Sequence, residues 1–335
     1  MAMEYEDKIE NRDKQDIIPR LFIPWEDFGY EKIDDIDVEN VYRMVKLKKD
    51  NNVFLCKLKK SISESNENQF NKEKSINNVL IEEIQNNNIE MKNVVIPRAM
   101  ELIQSNGLDG IVYEYFNDSS EKYNYSDKEK ISILLRANEF IKNIPLSERL
   151  KLFLEKRTFR EYYKDLDKFI IADNNEIKSM AIKLRELLRI DDFELSDEVL
   201  NHGDLDMSNI GYNSKTREVA IFDLEALCIG NSINAFAHCS YQSVLYKIYN
   251  RLSNESKYQM KNWGIIAGEH FYKIIENRIT EAQSLKQFYV INMFYAVSEC
   301  YDGFLIKNND KILEIELEEN IKFFRANLEK LNKVM

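Results

Sequence analysis

The apolar pattern of this chain changes character once, at about residues 117–120, and that change limits the folds open to it. From about Tyr30 to Phe116 the pattern is strand-rich, with one helical stretch. Beyond Asn117-Asp118-Ser119-Ser120 it is mostly helical. The segregation points to an α+β, bilobal arrangement: a small β-rich lobe over 30–116, then a larger, mostly helical lobe over 117–335. Residues 1–29, with Pro19, Pro24 and Trp25, read as an extended leader docking on the body. A length of 335 residues with 44% hydrophobic content is enough to give each lobe a core.

In the first lobe, Val41–Leu47 and Val53–Leu58 flank the polar run Lys48-Lys49-Asp50-Asn51-Asn52, which predicts a β-hairpin. Phe70, Ile76, Val79, Leu80 and Ile84 fall on one helical face and predict a helix over 70–85. The Asn- and Glu-rich stretch just before it, 61–71, reads as a loop. Gly110 to Phe116 predicts a buried strand running into a connector. In the second lobe, Ser126 and Glu129 form a possible capping box ahead of a helix to about Lys142. Helical patterns cover 147–169, 174–190, 233–251, 255–279, 284–305 and 313–333, with Ser284 and Gln287 as a second possible capping box.

The segment 201–227 interrupts these helices and carries the chemistry. His202-Gly203-Asp204-Leu205-Asp206-Met207-Ser208-Asn209 is followed by a turn and by the strand Val219-Ala220-Ile221-Phe222, which ends at Asp223. An alcohol is a poor nucleophile, and a carboxylate such as Asp204 within hydrogen-bond reach can align it and take its proton. Asn209 offers a neutral oxygen and Asp223 a charged one, a donor set suited to Mg²⁺. The plain alternative is an Asn/Asp-rich surface turn, and the hydrophobic strand ending in Asp223 counts against it. Upstream, Lys57 lies in a strand and Glu73 in the helix that follows. That order suits a lysine on nucleotide phosphates held by a helix carboxylate. The alternative here is a solvated strand edge and a surface acid. Lys57 stands between Cys56 and Leu58, so alternation leaves its facing open.

These residues resemble the aminoglycoside phosphotransferase and choline kinase branch of the protein-kinase-like superfamily, over roughly Tyr30 to Ser240. The family loop H-G-D-x-x-x-x-N is matched by His202–Asn209, and its I-D-x-E strand end by Phe222-Asp223-Leu224-Glu225. The resemblance implies a kinase using ATP or GTP with Mg²⁺. Asp204 would be the catalytic base and His202 the brace of its loop. Lys57 and Glu73 would hold phosphates, and Asn209 and Asp223 the metal. The backbone of Glu114, Tyr115 and Phe116 would meet the purine, with Tyr113 narrowing the back of the base pocket. Two features depart from the family. The turn Ile36-Asp37-Val38-Glu39-Asn40-Val41 lacks the glycines that usually cover phosphates. In Gly230-Asn231-Ser232-Ile233-Asn234-Ala235 the usual Asp that braces the catalytic loop is missing. No D-F-G follows the His202–Asn209 loop (the tripeptide Asp27-Phe28-Gly29 lies far ahead of it) and no A-P-E element is present, which speaks against a protein kinase.

The acceptor implied is a small molecule. A formal net charge of -11 argues against nucleic acid and mildly favours a cation. Glu225, Glu269, Glu299 and Asp302 are candidate acids for a cationic acceptor such as an aminoglycoside, with Tyr295 and Tyr301 as aromatic walls. A solvated acidic face is the competing reading. A metabolic kinase for choline, an amino alcohol or a sugar, and a non-catalytic nucleotide-binding regulator, are the alternative functions. No apolar run is long enough to span a membrane, and Met1 to Asp16 is charged, unlike a secretory signal. Cys56, Cys228, Cys239 and Cys300 are widely spaced, as in a reducing cytoplasm. His202, His238 and His270 show no zinc-ligand spacing with them.

Overall fold

The computed structural model describes residues 23–37, 42–60, 64–89, 93–105, 108–117, 125–188, 198–207, 209–234, parts of 236–251, 269–306 and 310–335. The chain forms two compact units. One takes the chain up to Ser119 with Leu146–Phe153 and Gly211–Ala226; the other takes Ser120–Pro145, Leu154–Ile210 and Leu227–Met335. The class is α+β, with a β-sheet in the N-terminal region and helices in the C-terminal region.

The first unit is built on β1 (Glu31–Asp37), β2 (Tyr42–Lys49), β3 (Asn52–Lys60), β5 (Ala99–Ser105) and β6 (Leu108–Glu114). They form one sheet in the order β1-β2-β3-β6-β5, antiparallel throughout. The β2–β3 hairpin closes on Asp50 and Asn51, whose φ values of 50° and 70° are those of a two-residue turn that follows the strand twist. The sheet separates two sets of side chains. On one face Val45, Leu47, Cys56, Leu58 and Val112 pack with Ile23, Trp25 and Tyr30. The described end of the leader thus contributes to the core. On the other face Ile111 and Tyr113 pack with Phe70 of helix α1 (Glu64–Asn86). Side chains alternate along a strand, so Lys57, between Cys56 and Leu58 and opposite Ile111, points to the α1 face.

Helix α1 begins at Glu64, so the stretch 64–71 is helical and not a loop. Phe70 is buried beneath it, and Gln69 bonds to Lys59 and Glu225. Tertiary contacts thus override the weak helix preference of Asn and Ser. Strand β4 (Val94–Val95) pairs in parallel with β10 (Glu218–Ile221), which also borders β9 (Ile210–Asn213). The phosphate-covering turn over 36–41 lies largely outside the described residues.

The second unit contains α2 (Asp127–Lys142), α4 (Phe159–Ile170), α5 (Asn175–Leu187), α6 (Glu269–Glu276), α7 (Ala282–Ile306) and α8 (Asp310–Val334). Ser126 and Glu129 form the expected capping box. Ser284 does not cap: α7 starts at Ala282, and the Ser284 hydroxyl donates to Glu281. The region 147–169 is not one helix. A single turn α3 (Glu148–Lys151), which belongs to the first unit, is followed by strand β7 (Glu155–Arg157) and then α4. Strand β7 is recruited by β11 (Cys228–Asn231), which also pairs with β8 (Glu198–Asn201). Of the pattern over 255–279, only 269–279 falls among the described residues, and α6 is its helical part.

Three buried asparagines tie this unit together. Asn292, Asn320 and Asn327 each donate to a carbonyl four residues back, and each accepts from a hydroxyl on another element: Ser240, Tyr241 and Tyr272, at 2.5, 2.7 and 2.7 Å. A satisfied buried amide specifies which faces meet, because a slipped packing would leave it unpaired.

Candidate active site

In the first unit the face of β3 that carries Lys57 meets three acids. Lys57 Nζ lies 2.8 Å from Asp223 Oδ1, 3.4 Å from Glu73 Oε2 and 3.8 Å from Glu225 Oε2. Lys57 and Glu73 are buried, at 5% and 1% exposure. Burial raises the Glu73 carboxyl above its ordinary value, and the Lys57 charge opposes that rise. Asp223 sits just past β10 with φ +58°, a left-handed conformation that Asp tolerates better than most residues. Lys57 thus shares its one positive charge among three carboxylates.

Glu73 is held from its other side as well. The Tyr113 hydroxyl donates to Glu73 Oε1, and both groups are buried. Removing that donor leaves a buried carboxylate oxygen short of a partner. Tyr113→Phe is therefore expected to cost about 1–3 kcal/mol of stability, read as a lower urea midpoint at unchanged slope. A change within about 0.5 kcal/mol, the range of ordinary surface substitutions, would show that the hydroxyl does not serve Glu73.

Beyond Tyr113 the strand runs out through Glu114, Tyr115 and Phe116. The Glu114 N–H donates to the Arg98 carbonyl at 2.9 Å. Lys46 lies over the Tyr115 ring, 4.4 Å from its centroid. Phe116 meets Phe222 edge-on at 6.5 Å. Gly211 packs against both rings. A Cβ there would lie 2.8 Å from Phe116 and 2.9 Å from Phe222, so glycine is what lets β9 approach them.

In the second unit, β8 delivers the loop that starts at His202. His202 is fully buried, and Gly203 turns the chain at φ +81°. Asn209 Nδ2 donates to the Asp204 carbonyl at 2.8 Å and to Asp204 Oδ2 at 3.2 Å. The Asn209 N–H is taken by Asp206 Oδ1 at 3.1 Å. His238 Nε2 stands 3.3 Å from Asp204 Oδ1. The His238 hydrogen bond is the main cause that holds the Asp204 carboxyl down to about 2, against the burial that would raise it. Asp204 is therefore ionised at neutral pH, as a proton acceptor must be.

The donor chemistry fits a hard cation. Asp223 supplies a carboxylate and Asn209 an amide oxygen, both of the kind Mg²⁺ takes. Glu73, Asp223 and Glu225 offer oxygens all within 4.8 Å of one another, an excess of negative charge around Lys57.

The sequence-predicted residues thus fall into two sets. Lys57, Glu73, Tyr113, Asp223 and Glu225 come together in the first unit; His202, Asp204 and Asn209 share one loop in the second. Glu299 and Asp302 are exposed on α7, and the Glu269 side chain lies outside the described residues. Tyr295 packs on His238 and Tyr301 on Phe169. Sequence reasoning missed His238, which has no motif around it, and Gln69, which lay in a stretch read as loop.

No protein-family model and no curated protein matches the sequence. Solved structures do match in fold. A thermostable mutant of aminoglycoside phosphotransferase APH(4)-Ia, in a ternary complex with ADP and hygromycin B, aligns with a TM-score of 0.61 at 10% identity. The alignment covers 90% of this chain and 96% of that one. The apo form of a thermostable mutant of the same enzyme gives 0.60 at 11%, covering 90% and 97%. An amicoumacin kinase in complex with AMP-PNP, Ca²⁺ and its ligand gives 0.53 at 13%, covering 97% and 96%. The chain has the protein-kinase-like fold of the aminoglycoside phosphotransferases.

Proposed function

We propose that the protein transfers the γ-phosphate of ATP or GTP to a hydroxyl of a small molecule, an aminoglycoside or related cationic antibiotic. The observation that carries this reading is the buried Lys57 bonded to both Glu73 and Asp223. A buried ammonium aligned by a helix carboxylate and a strand-end aspartate is the arrangement that holds nucleotide phosphates. The backbone of Glu114, Tyr115 and Phe116 would receive the purine. Since the Glu114 N–H is already used, the Glu114 carbonyl and the groups beyond it remain for that role. Asp204 would orient the acceptor hydroxyl and take its proton as the oxygen attacks the γ-phosphorus. The bond to the bridging oxygen breaks, and a nucleoside diphosphate leaves. Asn209 and Asp223 would hold Mg²⁺, which supplies charge compensation on the β- and γ-phosphates.

A cationic acceptor is supported by the net charge of -11, by the exposed Glu299 and Asp302 on α7, and by neighbours in fold bound to hygromycin B or amicoumacin. The test is nucleotide consumption with Mg²⁺ against a panel of aminoglycosides, other cationic antibiotics, choline and sugars. The expected result is turnover with an antibiotic and a product carrying one added phosphate. Turnover with choline or a sugar alone would make this a metabolic kinase. Nucleotide binding with no turnover would make it a regulator of the same fold.

A further inference from the structure

Asp204 is half exposed, with 52% of its side chain open to solvent, on a loop that turns at a glycine. Left to itself, such a carboxylate would sample several rotamers. Phosphoryl transfer is sensitive to placement: a misplacement of about 1 Å costs about a hundredfold in rate. The turn after β11 provides no acid to hold it. Asn231 is committed to Gln287 and to the Ile233 N–H, and Asn234 donates to the Arg157 carbonyl. One helical turn further on, His238 reaches the loop.

The two oxygens of Asp204 are then served separately. Oδ1 faces His238 Nε2 at 3.3 Å, and Oδ2 accepts from Asn209 Nδ2 at 3.2 Å. Two donors, one per oxygen, fix the plane of a carboxylate. The imidazole is itself held. Its ring meets Tyr295 edge-on at 5.6 Å, and Tyr295 stacks on Tyr241 at 6.0 Å. The Tyr241 hydroxyl ends the chain on the buried Asn320 of α8.

We propose that His238 is a positioning residue for the transfer: its Nε2–H pins Oδ1 of Asp204 so that the remaining lone pairs face the acceptor hydroxyl. The proposal rests on the phosphotransfer reading, and the experiment separates the two. Consumption of ATP or GTP is measured with Mg²⁺, with water as the acceptor and with the panel above. His238→Ala should lower kcat about 10- to 100-fold with the KM for nucleotide unchanged. His238→Gln, which keeps an N–H near the Nε2 position, should recover most of that loss. In parallel, ¹⁵N NMR of the imidazoles is recorded; the chain has only three histidines. The His238 signals should move in Asp204→Ala. A His238→Ala kcat within about twofold of wild type, or unmoved His238 signals in Asp204→Ala, overturns the positioning role. Absence of nucleotide consumption by the wild type, water included, instead overturns phosphotransfer itself.

Discussion

Asp204→Asn is expected to lower turnover by about 10²- to 10⁴-fold, the range for loss of a positioned general base, with nucleotide affinity unchanged. The substitution keeps shape and removes the charge. In the wild type both oxygens accept: one from His238, the other from Asn209. An amide can satisfy only one of these donors and must turn its NH₂ toward the other. It also cannot take the proton of the acceptor hydroxyl. Asp204 pairs with His238 and Asn209, whereas Lys57 pairs with Glu73 and Asp223, the set proposed to hold the phosphates, so nucleotide affinity is expected to hold. Single-turnover kinetics with saturating nucleotide, beside calorimetric titration of a non-hydrolysable analogue, separates the two effects. Near-normal turnover would remove Asp204 from the role of base; a large loss of nucleotide affinity would place it on the nucleotide instead.

Lys57→Met should have the second large effect, on stability and activity together. The wild-type ammonium faces Glu73, Asp223 and Glu225, and Glu73 is 1% exposed. Removing one partner of a buried ion pair costs about 3–5 kcal/mol, because the other charge is left uncompensated. The loss should depend on pH in a defined direction. Burial already lifts the Glu73 carboxyl, and without Lys57 only the smaller effect of the Tyr113 hydrogen bond opposes that lift. In the variant, folded Glu73 then keeps a proton that the unfolded chain has released, so folding takes up protons. Stability of the variant should therefore rise as pH falls from neutrality toward 4.5, narrowing its deficit to wild type. Turnover should fall by at least about a hundredfold, as for removal of one preorganised cationic donor. Urea titrations at several pH values check the first part. A deficit that does not change with pH would mean that Glu73 stays ionised.

The sequence made the small lobe readable because its signals are local. A polar two-residue turn between alternating strands forms a hairpin for reasons contained in a dozen residues. The facing of Lys57 was not local. Cys56, Lys57 and Leu58 are all buried, because the core lies on one side of β3 and α1 on the other, so alternation between inside and outside is lost. The start of α1 was hidden for a related reason. Residues 64–69 have no apolar periodicity, and the helix is extended by partners distant in sequence, including Glu225. Strand β7 went unread because only its partner β11, far along the chain, makes Glu155–Arg157 a strand. In the loop His202–Asn209 the spacing was enough to single out its polar groups as candidates. Nothing in it announced His238, whose role depends on a helix turn returning to the loop.

One carboxylate, Glu73, is shared by Tyr113 and Lys57. On the proposed reading, Tyr113 walls the base and Lys57 holds the phosphates. Position 113 therefore answers to two selections at once: ring bulk for the base, a hydroxyl for Glu73. A smaller residue that widened the base pocket would also take a donor from the acid that steadies the lysine. Base preference could not drift freely there. A lineage that changed it would have to do so along the backbone near Tyr115 and Phe116, or supply Glu73 with a new donor in the same step. Substitutions at 113 and 57 should for the same reason be epistatic.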